Sequence, residues 1–397
     1  MQEIRIAKRI TRLPKHFFSD LVGRVDRLLA EGKDLIDLGR GNPDIPTPPH
    51  IVEELCQAVQ DPRTHRYGPF PGLPELREAI AHWYAQRYGV KLDPGREVAV
   101  LFGSKVGLYE VSYCLLESGD LCLVPDPGYP DYWSGIAMVG AKQVGMPLLA
   151  ENNFFPRYED LPRDVARAAK LMFLNYPGNP TTTLATREFF EETVRFARDN
   201  EIIVAHDAAY QALIFDGRQN PSFLEVEGAK EVGVEFCSLS KTFSMAGWRV
   251  GFVLGNAEII RAITILQNHL FAGLFPAVQR AAVAALTGPQ DCIAEMVRVY
   301  QSRRDTFIEG LREIGWNVPK PGGSFFCWLP IPAGYSSLEL ANLFLEKAGV
   351  VVAPGVGFGP HGEGYVRAGL LTDEDTLREA ARRIGELGIF GQERSTA

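Results

Sequence analysis

The sequence predicts an α/β protein, with a large domain built on a mostly parallel sheet covered by helices and a smaller α+β domain beside it. Three observations predict this. Strand-like and helix-like stretches alternate through residues 97–238. The stretches 121–124, 170–174, 201–205 and 232–238 are apolar on both faces, as parallel strands are when helices cover both sides. Polar residues gather just past strand ends: Ser104, Tyr129, Asn179, Asp207, Tyr210 and Lys241. In open α/β sheets, ligands bind beyond those carboxyl ends.

Taken in order, the chain opens with a basic arm. Phe18, Leu21, Val22, Val25, Leu28 and Leu29 then recur at helical spacing up to Gly32. Residues 35–38 read as a short strand. Gly39-Arg40-Gly41-Asn42-Pro43-Asp44-Ile45-Pro46-Thr47-Pro48-Pro49 cannot be helix or central strand, so it is a crossing loop. Its two leading glycines let a ligand approach the backbone closely. Helices are predicted over 50–60 and 75–89, around a second structured loop from Arg66 to Pro74. A strand over 97–102 breaks at Gly103-Ser104-Lys105 into a helix over 106–116. A strand, a glycine and a helix N-terminus can hold an anion through free backbone N–H groups, although many strand-to-helix turns look the same.

Further on come strand 142–147, helices over 131–139, 160–168 and 187–199, and apolar helical sequence over 257–285. A long helix over 291–314 reads as a spine between domains. Strands near 316–318, 324–329, 350–353 and 364–370, with helices over 337–348 and 373–387, complete the small domain. The expected division is 1–45 for the arm and part of the small domain, 46–290 for the large domain, and 291–397 for the linking helix and C-terminal small domain.

With 46% hydrophobic and 23% charged residues, the 397-residue chain has the make-up of a water-soluble globular protein. A net charge of −8 argues against nucleic acid or an anionic membrane as partner. The six cysteines are scattered without a C-x-x-C pair, which fits a reduced compartment. There is no signal-type segment and no apolar run long enough to span a bilayer, so the chain reads as cytoplasmic. The seven histidines show no metal-ligand spacing, and His206 reads as a packing histidine.

The stretch Ser238-Leu239-Ser240-Lys241-Thr242-Phe243-Ser244-Met245-Ala246-Gly247-Trp248-Arg249 carries the chemistry. A lysine whose charge is disfavoured by burial attacks aldehydes. An arginine fork and serine hydroxyls suit a phosphate. Taken alone, the segment reads equally well as a surface lysine and a structural arginine.

Two further motifs precede it in order: Asn175-Tyr176-Pro177-Gly178-Asn179-Pro180-Thr181 and His206-Asp207-Ala208-Ala209-Tyr210. Asn179, Asp207 and Lys241 are spaced by 28 and 34 residues. The set resembles the fold-type I, class I/II aminotransferases, over essentially the full chain. The resemblance implies a seven-stranded-type sheet, pyridoxal 5'-phosphate as cofactor and a homodimer with shared sites. It implies that Lys241 bonds the cofactor aldehyde and moves a proton, and that Asp207 faces the pyridine nitrogen. Tyr210 and Asn179 would bond the ring's phenolic oxygen, and Tyr129 would stack on its face. Ser104, Lys105, Ser238, Ser240 and Arg249 would hold the phosphate, with Tyr67 reaching it from the neighbouring subunit. Arg367, Gly41 and Asn179 would take the substrate carboxylate, whereas Arg40 reads as a solvated loop arginine. One departure stands out: Thr182 occupies a position where the family often has glycine. Gly355-Val356-Gly357-Phe358-Gly359-Pro360 echoes a dinucleotide fingerprint, but its proline and the lack of a following helix make it a loop over the site.

Local matches, among them Leu38 through Asp44 and Glu151-Asn152-Asn153-Phe154-Phe155-Pro156, resemble the branch of methionine-salvage and LL-diaminopimelate aminotransferases. That resemblance implies 4-methylthio-2-oxobutanoate as acceptor and a donor such as glutamine. LL-diaminopimelate, alanine, aspartate and aromatic substrates remain alternatives. So does a C–S β-lyase with the same lysine, aspartate and phosphate cup, or a non-catalytic regulator. Phe17, Phe18, Phe271 and Phe275 could line a thioether pocket or simply pack.

Overall fold

Strands apolar on both faces need cover on both sides, and the chain supplies it. The computed structural model describes residues 4–14, 17–270 and 273–390. In chain order the strands are β1 (Ile36–Asp37), β2 (Val98–Leu101), β3 (Leu121–Asp126), β4 (Lys142–Pro147), β5 (Ala169–Asn175) and β6 (Ile203–Asp207). They continue with β7 (Gly233–Ser238), β8 (Gly251–Gly255), β9 (Phe326–Pro330), β10 (Val350–Val351), β11 (Ala353–Pro354) and β12 (Tyr365–Gly369). The central sheet has seven strands in the order β2-β8-β7-β6-β5-β3-β4. Only β8 runs antiparallel to its neighbours. Within β5, Leu171 and Phe173 enter one apolar cluster, and Met172 and Leu174 enter the other, on the strand's period of two. Burying each such side chain stabilises the fold by about 1.5–3 kcal/mol.

This sheet sets three polar residues in a row. β5, β6 and β7 end at Asn175, Asp207 and Ser238, and Asn175 lies in register with Asp207. The strand over 201–205 proves to be 203–207, so Asp207 is its last residue. The helix expected over 106–116 is Ser104–Leu115, which makes Gly103 its N-cap with φ of 76°.

The second sheet, β11-β12-β9, is antiparallel, and β1 pairs in parallel with β10. The N-terminal segment therefore packs with the C-terminal one. Val25, Leu21 and Leu28 of the helix Phe17–Ala30 meet Leu345 and Val351. The helix Asp291–Glu313 spans 23 residues, about 35 Å. Its Arg303 grips both carboxylate oxygens of Asp44 at 2.9 and 2.8 Å. Its fully buried Arg304 does the same to Asp216, at 2.7 Å for both bonds.

The strand expected near 316–318 is absent. Pro319 and Pro321 can donate no ladder bond. Trp316 instead folds back on the helix end and donates its indole N–H to the Pro330 carbonyl at 2.8 Å. The helix expected over 337–348 widens its last turn from Phe344. The helical sequence over 257–285 divides into Ala257–Leu270 and Pro276–Thr287.

Candidate active site

The strand ends, the first loop and the small domain enclose a cavity of about 590 Å³. Its wall contains every residue named above as a site candidate except Tyr67: Gly41, Ser104, Lys105, Tyr129, Asn179, Asp207, Tyr210, Ser238, Ser240, Lys241, Arg249 and Arg367. Tyr67 stands outside, 89% exposed.

Lys241 sits on the short helix Leu239–Thr242 that Ser238 caps. Its Nζ donates to the Gly41 carbonyl at 3.0 Å and lies 5.2 Å from the centre of the Phe325 ring. Burial, reinforced by the Arg249 and Arg367 guanidiniums, lowers its ammonium to about 8. Asp207 is buried, and that desolvation raises its carboxyl to about 6. The Tyr132 hydroxyl, donating to Oδ2 at 2.9 Å, and the Ala209 N–H at 3.2 Å oppose the rise. Burial likewise pushes up the Tyr210 phenol, against the charge of Arg367.

Arg367 reaches the cavity from β12. It donates to Asn179 Oδ1 at 2.8 Å and to the Gly39 carbonyl at 2.9 Å. Its guanidinium carbon lies 3.9 Å from the centre of the Phe326 ring and 4.8 Å from that of Phe358. Burial lowers its pKa to about 10. Phe358 belongs to the Gly355–Phe358 turn, so the glycine-rich loop does close over the site.

The other end of the cavity is shaped by glycines. A Cβ at Gly103 would come 2.4 Å from Arg249 Nη2, and one at Gly251 would come 2.6 Å from the Ser104 nitrogen. The Ser240 N–H donates to Ser238 Oγ at 3.2 Å. Lys105 turns its ammonium to Asp131 at 2.9 Å, which leaves its backbone to the cavity. This is a cup of backbone N–H groups, hydroxyls and one guanidinium, with glycines where side chains would block it.

Some placements differ from expectation. Arg40 is 47% exposed, yet it lines the cavity and pairs with Asp37 and Asp26. Phe275 is exposed rather than packed. Phe271 and the side chains of Phe17 and Phe18 lie outside the described residues. Thr182 takes φ of 60°, a left-handed conformation that explains why glycine suits this turn. His206 is buried and bonded to Glu235 at 2.8 Å, as a packing histidine should be. Sequence reasoning missed Tyr132 and Asn175, which hold Asp207, and the rings of Phe326 and Phe358 around Arg367. Tyr132 stands out in the sequence only beside Pro127-Gly128-Tyr129-Pro130, as part of the resemblance to the methionine-salvage branch, with nothing there to pair its hydroxyl with Asp207.

A model of the family described as aminotransferase class I and II matches residues 33–384. The chain belongs to that family. This aminotransferase is 56% identical, over 96% of both chains, to L-glutamine–4-(methylsulfanyl)-2-oxobutanoate aminotransferase of Bacillus subtilis. It is 47% identical to LL-diaminopimelate aminotransferase of Moorella thermoacetica, over 97% of this chain and 98% of the other. Substrate-bound BacF from Bacillus subtilis superposes with a TM-score of 0.94 at 44% identity, covering 99% of this chain and all of that one. Members of the family use pyridoxal 5'-phosphate. The residues present fit that group: one cavity is lined by a glycine-bounded anion cup, a buried carboxyl and a lysine with a lowered pKa. Among the described residues no helix is long and apolar enough to cross a membrane.

Proposed function

We propose that this aminotransferase moves the amino group of glutamine to 4-(methylsulfanyl)-2-oxobutanoate, forming methionine. The observation that carries this reading is the 56% identity to the Bacillus subtilis protein of that name. The cavity supports it with an apolar flank of Leu21, Val22, Val25 and Val351 that suits a thioether.

In this reading Lys241 would hold the cofactor through its aldehyde and would serve as the base that moves a proton at the substrate Cα. Its pKa of about 8 leaves part of the population unprotonated near neutrality, as a base requires. Bound cofactor supplies an electron-withdrawing ring. Asp207 would keep the ring nitrogen charged, and Tyr132 and the Ala209 N–H hold the carboxylate in place. Tyr210 and Asn179 would bond the phenolic oxygen, and Tyr129 would cover the ring. Ser104, the Lys105 backbone, Ser238, Ser240 and Arg249 take the phosphate. Arg367, with Asn179 and the Gly41 backbone, takes the α-carboxylate.

The active unit is a homodimer in this proposal, with Tyr67 reaching the partner's phosphate. Its support is exposure: Tyr67, Phe70 and Phe275 lie open on adjoining loops, with Gly273 close to the Gly68 carbonyl. We place the division at about residues 45 and 290; the pairing of β1 with β10 supports grouping the N-terminal segment with the C-terminal part. A cytoplasmic site fits six cysteines without a disulfide.

A panel of 2-oxo acids against glutamine, alanine, aspartate and LL-diaminopimelate tests the assignment. The expected outcome is fastest formation of methionine from glutamine. Faster turnover of LL-diaminopimelate would transfer the assignment to the second group of relatives, which are 47% identical and below. Pyruvate and ammonia as products would mean a lyase.

A further inference from the structure

The cavity's charged groups are nearly all spoken for. Under the proposed reading Asp207, Lys241, Arg249 and Arg367 serve cofactor and α-carboxylate, and Lys105 is held by Asp131. Among the described lining residues, that leaves Arg40 and Asp37. Arg40 lies between two residues that touch the reacting centre: the Gly39 carbonyl accepts from Arg367 at 2.9 Å and the Gly41 carbonyl from Lys241 at 3.0 Å. A free guanidinium there would be placed to take a second carboxylate on the substrate.

It is not free. Arg40 Nε meets Asp37 Oδ2 at 2.6 Å, and Nη2 meets Asp26 Oδ1 at 2.7 Å. Asp37 is further fixed by the Gly39 N–H at 2.9 Å. Asp26 stands on the same helix, Phe17–Ala30, whose Leu21, Val22 and Val25 line the cavity. Arg24 of that helix anchors it by donating to Asn342 at 2.6 Å. Two carboxylates against one guanidinium leave this corner net negative, beside an apolar wall.

We propose that Asp26 determines specificity: with Asp37 it clamps Arg40, denies that guanidinium to a distal carboxylate, and confines the enzyme to amino acids with uncharged side chains. The proposal rests on the substrate reading above, in which donor and acceptor both end in neutral groups. Asp26 acts through Arg40 and is a positioning residue.

The test compares glutamate with methionine as amino donors for the holoenzyme and its Asp26→Ala variant. The expected result is a rise of about tenfold in the ratio of kcat/KM for glutamate to that for methionine, carried by KM, the size of one charge-assisted hydrogen bond. Adding Arg40→Met should cancel the gain. Asp26→Asn, which keeps the shape and drops the charge, should show the same direction if Asp26→Ala fails to fold. Calorimetry with glutarate and 4-(methylsulfanyl)butanoate, two unreactive acids, gives an independent reading. Glutarate should bind about tenfold more tightly to the variant relative to the monocarboxylate. Equal changes for both acids, a gain that survives Arg40→Met, or an unaltered enzyme that uses glutamate as well as methionine would overturn the clamp. An enzyme that makes no methionine yet gains glutarate affinity on Asp26→Ala would refute the substrate reading and leave the clamp standing.

Discussion

Asp207 gathers opposing forces in one carboxyl group. Burial raises its pKa from 3.8 to about 6, and the bond from Tyr132 limits the rise. The cofactor-free folded chain therefore holds the proton more tightly than the unfolded chain. Stability must fall as pH rises from about 4 to about 6 and stay lowered above, by at most about 3 kcal/mol. Asp207→Asn removes that titration while keeping an acceptor for Tyr132. Cofactor-free Asp207→Asn should exceed the parent in stability by about 2–3 kcal/mol at pH 8, and the difference should vanish near pH 4. Urea unfolding at the two pH values measures it, and equal differences at both would refute the assigned shift. Lys241 acts in a neighbouring window. Its pKa falls from 10.5 to about 8, so the cost of burying its charge is present below about 8 and is relieved as pH climbs toward 10.5. Under the proposed roles, bound cofactor would turn both costs to use, because it would offer a cationic nitrogen to the carboxylate and a covalent partner to the amine.

Among the elements, the turn from β2 into the helix Ser104–Leu115 has the least freedom. Gly103 has φ of 76°, and a Cβ there would lie 2.4 Å from Arg249 Nη2. Gly103→Ala adds backbone strain and displaces Arg249, the arginine proposed to hold the phosphate, at once. Its expected effect is a rise of at least about tenfold in the dissociation constant for pyridoxal 5'-phosphate, the loss of one charge-assisted bond. Titration of cofactor-free protein reads it, and unchanged affinity would remove Arg249 from the cup. Such a turn was legible as a break between strand and helix because glycine follows an apolar strand there, but many strand-to-helix turns share that pattern, so its role was not. Lys241, Asp207 and Asn179 were singled out by their three ordered motifs and the resemblance these carry, and all three line the same cavity. Tyr132 was hidden because a buried tyrosine on an apolar helix has the pattern of core, and its hydroxyl partner lies 75 residues away. Arg40 is a half-exposed loop arginine, and its pair with Asp26 was not legible because Asp26 stands on a different element. The apolar Trp316 and Val318 suggested a strand, but the flanking prolines leave too few donors for a ladder.

Across the whole molecule, the site is assembled from pieces distant in sequence, and the long helix Asp291–Glu313 ties them. Through Arg303 it holds Asp44 in the loop that brings Gly39 and Gly41 to the cavity, and through Arg304 it holds Asp216 beyond β6. The aspartates are 31% and 33% exposed while the arginines are nearly or fully buried, so breaking either pair strands a buried guanidinium, and the two arginines fix the loop's position as well as the fold. One proposed contributor remains outside this frame. Tyr67 is 89% exposed, an unusual setting for a large ring with no partner surface, and Phe70 and Phe275 are exposed nearby. A second copy would cover them and bring the Tyr67 hydroxyl to the phosphate cup across the interface. The enzyme should then sediment as a dimer, and cofactor should be released when dilution separates the subunits. Tyr67→Phe should raise the cofactor dissociation constant by about tenfold, one hydrogen bond to a charged group, without changing the sedimentation coefficient. A monomer with full cofactor affinity, or a Tyr67→Phe dimer that binds cofactor as tightly as the parent, would place the whole phosphate site within one chain.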